Sequence, residues 1–304
     1  MLAASFTAQR MNNHLLPLGS PPPKLGTLLR CWPRALLSRG RFRDVRTFVL
    51  MIGHARSGSS LVGSLINAHR HALIAHELNV LHFVKRHFPR SALFWLLARQ
   101  DWAFEQAGRS WTGYDYRVSG QWQGRCEQLL VLGDKHAGGA SRVLGERPEL
   151  LDRLRSTADV PIKLIHIVRH PLDNVATLHR RQSLSLTEAV EYYVRNAATN
   201  ARLLRDNPAD ALTVHLEDII SRPADELARL CAFLNLDAPS DYVADCAASV
   251  FATPRQTRTA VEWPTAMRRS LLESCQRFPF LERYLRDGSF GSAVPGESTI
   301  RRAA

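Results

Sequence analysis

The sequence predicts a single α/β domain in which a parallel sheet is covered by helices on both faces. Two observations carry that expectation. Strand-like apolar runs alternate with helical patterns from Thr47 onward, and the runs over 48–52 and 162–168 read as strands buried on both sides. A chain of 304 residues is also long enough to bury a substantial core.

In order, a first strand over 47–53 leads to a helix from Leu61, and a short strand over 71–75 leads to a helical stretch over 77–87. Residues 91–106 are apolar at helical spacing. A strand over 129–135 runs into Gly138-Gly139, and the strand over 162–168 is ended by His170-Pro171. Helices over 173–181 and 187–206, a strand over 211–216, and helices over 224–235 and 241–249 complete the core. The implied organisation is a basic, proline-rich arm over 1–45, partly disordered, a domain over 46–287, and a flexible tail over 288–304.

The formal net charge is +12, yet residues 1–46 supply +7 of it. The rest of the chain is only mildly basic, which removes most of the support for nucleic-acid binding. Residues 25–45 combine arginines with apolar side chains. They read either as an amphipathic segment making weak contact with anionic lipid or as an arm packed on the domain, and Pro33 interrupts a continuous helix. The five cysteines are widely spaced with no C-x-x-C pair, so a reducing compartment is expected. No signal-peptide pattern opens the chain and no apolar run is long enough to span a bilayer, which points to a cytoplasmic protein.

The most informative stretch is Gly53-His54-Ala55-Arg56-Ser57-Gly58-Ser59-Ser60. A strand, a glycine turn and a helix start aim unpaired amides and the positive helix end at one point, where an anion binds. The loop is P-loop-like, but the lysine of G-x-x-x-x-G-K-[ST] is missing and Arg56 is the only cation inside it. A second strand end repeats the logic. Arg169 closes the run over 162–168, where open α/β sheets bind ligands, and Thr177 lies within reach on the following helix. Together they offer a guanidinium and a hydroxyl to a second phosphate, unless Arg169 simply pairs with Asp173.

Arg-Ser-Gly-Ser-Ser after one strand and Val-Arg-x-Pro-x-Asp-x-x-x-Thr after a later one resemble the sulfotransferases that use 3′-phosphoadenosine 5′-phosphosulfate (PAPS), over roughly residues 46–285. The resemblance is closer to the tyrosylprotein, carbohydrate and bacterial branch than to the cytosolic phenol and steroid branch. It implies that Arg56, Ser57, Gly58, Ser59 and Ser60 hold the phosphosulfate, and that Arg169 and Thr177 hold the 3′-phosphate. Serines stand here for the commoner Thr-Thr, and Thr177 for the usual serine.

Sulfuryl transfer needs a base at the acceptor hydroxyl and cations on the leaving group, and its modest charge lets arginine or lysine serve where phosphoryl transfer recruits Mg²⁺. The resemblance implies Glu77 as that base, with His76 in reserve, and Arg56 and Lys135 as the catalytic cations. Lys135 stands in Gly133-Asp134-Lys135, a strand end whose usual Thr-Pro continuation is His136-Ala137 here, and a structural salt bridge to Asp134 or another acid is its alternative reading. Arg255, Arg258 and Trp263 resemble the late loop over the nucleotide, and Leu216 replaces a frequent tyrosine. His69, His71, His76 and His82 lack H-E-x-x-H spacing, so no metal is expected. The expected function is a PAPS-dependent sulfotransferase acting on a hydroxyl-bearing acceptor: a glycan, a lipid, a small molecule or a tyrosine. Aromatic residues over 88–128 are candidates for the acceptor wall. The alternatives are a P-loop nucleotide kinase or NTPase, and a non-catalytic anion or membrane-surface binding protein.

Overall fold

In a computed structural model, which describes residues 39–182, 184–251, 253–286, 288 and 290, the chain is organised around five parallel strands. These are β1 (Thr47–Gly53), β2 (Ala72–His76), β5 (Val131–Lys135), β6 (Ile162–Val168) and β7 (Ala211–His215), in the order β2-β5-β1-β6-β7. A small antiparallel hairpin, β3 (Ser110–Trp111) and β4 (Tyr114–Asp115), stands apart. The helices are α1 (Ser59–Asn67), α2 (Val80–Val84), α3 (Arg90–Gln106), α4 (Ala137–Glu146), α5 (Glu149–Ala158), α6 (Pro171–Gln182) and α7 (Leu186–Asp206). They continue with α8 (Leu216–Ser221), α9 (Pro223–Phe233), α10 (Ser240–Ser249), α11 (Thr265–Cys275) and α12 (Glu282–Leu285).

The side-chain alternation of β1 explains its unbroken apolar run. Phe48, Leu50 and Ile52 join a core with α2 to α5, whereas Val49 and Met51 point the other way into a core with α1, α8, α9 and α10. A third cluster ties α6, α7 and α11 together. Because β1 has β5 on one side and β6 on the other, chain direction across the sheet reverses at β1. The crevice at its C-terminal edge is therefore the expected ligand site of such a sheet.

Several expectations need correction. The predicted helix over 77–87 shrinks to α2. Glu77 and Asn79 have φ of +57° and +61°, and the buried Asp134 carboxylate takes the amides of Leu78 (3.0 Å) and Val80 (2.7 Å), which holds a turn instead. The sequence reading also passed over α4, α5, α8, α11 and the hairpin. At the arm, Phe42 and Val45 are buried in the first core and the Phe42 ring meets Phe94 edge-on. Phe290 is buried in the third core, beside His170. The remaining expectations for the arm and tail, including lipid contact, fall largely on residues outside those described. Among the described residues no helix is long and apolar enough to cross a membrane.

Candidate active site

The loop after β1 is fixed before any ligand arrives. Gly53 has φ of +138°, and a Cβ there would strike the Ile167 carbonyl oxygen. Gly58, at φ of +99°, leaves room for Leu216, whose Cδ1 would lie 2.5 Å from an added Cβ. From below, the Gly53 amide donates to Ser141 Oγ (2.8 Å), which in turn donates to Asn200 Oδ1 (2.6 Å). Asn174 Nδ2 donates to the Ala55 carbonyl at 3.1 Å. His54 stacks on Tyr193 with centroids 4.1 Å apart; burial lowers its pKa to about 4, so it is neutral. No side chain caps the start of α1, so its first-turn amides are open to an anion, and Gly58, Ser59 and Ser60 line the cavity in front.

Ser57 is the exception in this loop. It is fully buried and its hydroxyl donates to the His54 carbonyl at 2.8 Å, so it braces the turn rather than facing the cavity. Arg56 lines the cavity and reaches Thr112 Oγ1 on the hairpin at 3.0 Å.

Arg169 and Thr177 are brought together as expected, at 3.3 Å, and both line the same cavity as the loop. Arg169 does not pair with Asp173. Its guanidinium donates to the carbonyls of Arg56 (3.3 Å) and Arg255 (2.5 Å) and to Thr257 Oγ1 (3.3 Å). Asp173 is taken by Arg258, through Nη1 at 2.6 Å and the backbone amide at 2.7 Å. Trp263 Nε1 then donates to the Arg258 carbonyl at 3.0 Å. The segment 253–258 is thereby laced to β6 and α6. Burial lowers the Arg169 pKa, although Asp173 and Glu217 oppose this.

Glu77 reaches the cavity from the end of β2, but Lys135 does not. Lys135 is only 2% exposed and lies beneath Glu77, with Nζ 2.7 Å from Oε1 and 3.4 Å from His76 Nε2. The stem of Lys135 passes Gly63 of α1, where an added Cβ would come within 2.9 Å of Cγ. Burial raises the Glu77 pKa, but Lys135, His136 and Arg56 outweigh it and hold the carboxylate ionised. The Lys135 pKa is lowered as well, by burial and against the pull of Glu77. His76 is turned from the cavity, stacked on Phe104 at 4.0 Å, and its pKa is held well below normal by burial and then by Lys135. The reserve base is thus a neutral packing residue. His136 does line the cavity, and its Nδ1 is buried with no partner among the described residues.

The cavity measures about 1090 Å³. Of the aromatics singled out over 88–128, Trp111, Tyr114 and Tyr116 line it, all from the hairpin and the strand end beyond. Phe94 lies in the core, Trp95 packs against it and Trp102 is 58% exposed. Tyr114 meets Phe251 edge-on, with the Arg255 guanidinium over its ring at 5.2 Å. Sequence reasoning missed His136, Arg142, Arg180 and Arg181 on the walls and Ser141, Asn174 and Asn200 beneath the loop. The only signal for the last three was polar side chains on the inner faces of helices. Among the described residues no group of three His, Cys, Asp or Glu side chains is placed to hold a metal ion.

The profile of the sulfotransferase family matches residues 49–240, which includes both strand ends and Glu77. No curated protein sequence matches the chain. Similar solved structures include the sulfotransferase domain of the Synechococcus PCC 7002 olefin synthase, at 17% identity over 74% of this chain and 83% of that one, with a TM-score of 0.45. The sulfotransferase domain of the curacin biosynthetic pathway is 15% identical over 77% of this chain and 98% of its own, with a TM-score of 0.48. Mouse sulfotransferase SULT7A1, solved with PAP, is 13% identical over 81% and 91%, with a TM-score of 0.44. With the family profile spanning most of the chain, this protein belongs to the sulfotransferase family and is a sulfuryl-transfer enzyme.

Proposed function

We propose that the sulfuryl donor is PAPS and that Glu77 is the base that deprotonates the acceptor hydroxyl. One observation carries the reading: two strand ends that offer cations, hydroxyls and open amides, Arg56 with Gly58, Ser59 and Ser60 and Arg169 with Thr177, open into one cavity that also receives the ionised Glu77. Two sites on one ligand fit a nucleotide with a phosphosulfate at one end and a separate phosphate at the other. The amides of α1 and Arg56 would meet the phosphosulfate, and Arg169 and Thr177 the 3′-phosphate. The acceptor oxygen gives its proton to Glu77 and forms a bond to sulfur. The sulfur–oxygen bond to the phosphate breaks, and adenosine 3′,5′-bisphosphate leaves with the electron pair. Arg56 offsets the charge that grows on the bridging oxygen. Lys135 acts through Glu77, keeping it ionised, and is a positioning residue in this scheme.

Calorimetry on the purified protein should show adenosine 3′,5′-bisphosphate binding without Mg²⁺, weakened by Arg56→Ala and by Arg169→Ala. No binding at millimolar nucleotide would sink the PAPS assignment while leaving family membership intact.

A further inference from the structure

We propose that the acceptor carries an anionic group, a carboxylate or a sulfate, near its reacting hydroxyl, and that Arg142, Arg180 and Arg181 hold it. The proposal rests on the donor reading above, which assigns the Arg169 end of the cavity to the nucleotide. At that end the cations are engaged by the protein: Arg169 by four oxygens, Arg255 by the face of Tyr114. The wall further along α6 differs. Arg180 and Arg181 follow Thr177 by one turn of α6, line the cavity and are exposed. Among the described residues neither has a hydrogen bond or ion pair. Arg142 joins them from α4, with only Glu146 on its own helix at 3.3 Å, an exposed pair of little strength. Tyr192 of α7 closes the wall, its hydroxyl donating to the Gly138 carbonyl at 3.5 Å.

Among the described residues Glu77 is the one acid lining the cavity, and it is already neutralised by Lys135. Three guanidinium groups lining one cavity, with Glu146 beside Arg142 as their only ion-pair partner among the described residues, draw anions into the cleft. A carboxylate or sulfate satisfies them with charge-assisted, forked hydrogen bonds, which a neutral alcohol cannot offer. The same arginines thus select an acceptor by charge, inside the cavity that Glu77 and His136 also line.

The test is calorimetry on the full chain loaded with adenosine 3′,5′-bisphosphate, using matched probes. One arm compares para-nitrophenyl glucuronide with the glucoside, the other sulfated with unsulfated N-acetylglucosamine. In at least one arm the anionic member should bind about tenfold tighter or more, and the arm that responds identifies the anion. The preference should vanish in an Arg142→Ala/Arg180→Ala/Arg181→Ala variant whose nucleotide affinity stays within about twofold of the parent, which also shows that it is folded. A preference partly restored by lysines at 180 and 181 supports the assignment further. Equal or absent binding of both members in both arms overturns it, as does a preference that survives the triple substitution. A triple variant that loses nucleotide affinity overturns it too, because the arginines then belong to the donor. If the parent binds no nucleotide, the donor reading fails, and the probe titrations on unloaded protein still decide the charge preference.

Discussion

The two ends of the cavity differ in how many of their polar atoms the protein has already satisfied. Around Arg169 almost every group is spoken for: four oxygens take its guanidinium, Asp173 holds Arg258, and Trp263 holds the Arg258 carbonyl. Elsewhere on the lining, Arg180 and Arg181 have no partner among the described residues, His136 Nδ1 has none either, and Arg142 has only the exposed Glu146. A preassembled end binds a ligand of fixed shape with little ordering cost, which suits a donor that is the same in every turnover. An open end leaves recognition to whatever enters, which suits the variable partner of the reaction. Glu77 lines the same cavity.

The sharpest way to test this division is to remove the proposed base that both parts of the lining serve. Glu77→Gln should lower kcat by about 10²- to 10⁴-fold on the best acceptor found, with nucleotide affinity nearly unchanged. A rate within a few fold of the parent would move the base elsewhere, with His136 first in line.

Next comes the preassembled end. Arg169→Ala strands two carbonyls and two threonine hydroxyls along with the lost charge, so the affinity for adenosine 3′,5′-bisphosphate should fall by about 10²-fold or more. Arg169→Lys should recover only part of it, since an ammonium cannot make the fork. If the alanine variant binds nucleotide like the parent in calorimetry, the donor does not use this strand end.

A smaller effect separates positioning from chemistry. Lys135→Met removes the main group that lowers the Glu77 pKa and leaves burial, which raises it. A base with a raised pKa loses its ionised form at higher pH. The acid limb of the kcat/KM profile should therefore move upward, with activity partly retained above it. An unmoved limb with a uniformly lower rate would instead make Lys135 a direct participant.

The smallest effect concerns the clamp that shapes the Glu77 turn. Burial pushes the Asp134 pKa from the ordinary 3.8 to about 7 despite its two amide donors and Lys135. With the folded value above the unfolded one, the folded protein binds the proton more tightly. That contribution to stability is full below 3.8 and is lost as pH rises to about 7. Asp134→Asn should flatten this decline in thermal midpoints measured across that window. A slope identical to the parent's would place the titration elsewhere.

Much of this was legible in the sequence, and for identifiable reasons. The strand runs and the glycine loop follow from local constraint: β1 is apolar on both faces because two cores meet it, and Gly53 and Gly58 occupy backbone conformations that side chains disfavour. The pairing of Arg169 with Thr177 was readable because one helix sets their spacing. The residues that escaped depend on distant partners. Glu77 looked helical from its neighbours, and only Asp134, 57 positions on in sequence, makes it a turn. Ser57 matched the loop motif, but its hydroxyl was captured by the His54 carbonyl beneath it. The hairpin was unreadable because β3 and β4 hold two residues each, too few to show a period.

Gly63 deserves a last consequence. The helix proposed to present its amides to the donor and the lysine beneath the proposed base touch at a point where even a methyl group would force a shift. The separation between donor cradle and base is thus set like a stop on a ruler, by van der Waals contact roughly a helical turn behind the reacting atoms. In the proposed scheme, a single added carbon at this position would push α1 and Lys135 apart, and with them the donor cradle and the base. Catalytic distance here is a property of packing as much as of the groups that do the chemistry.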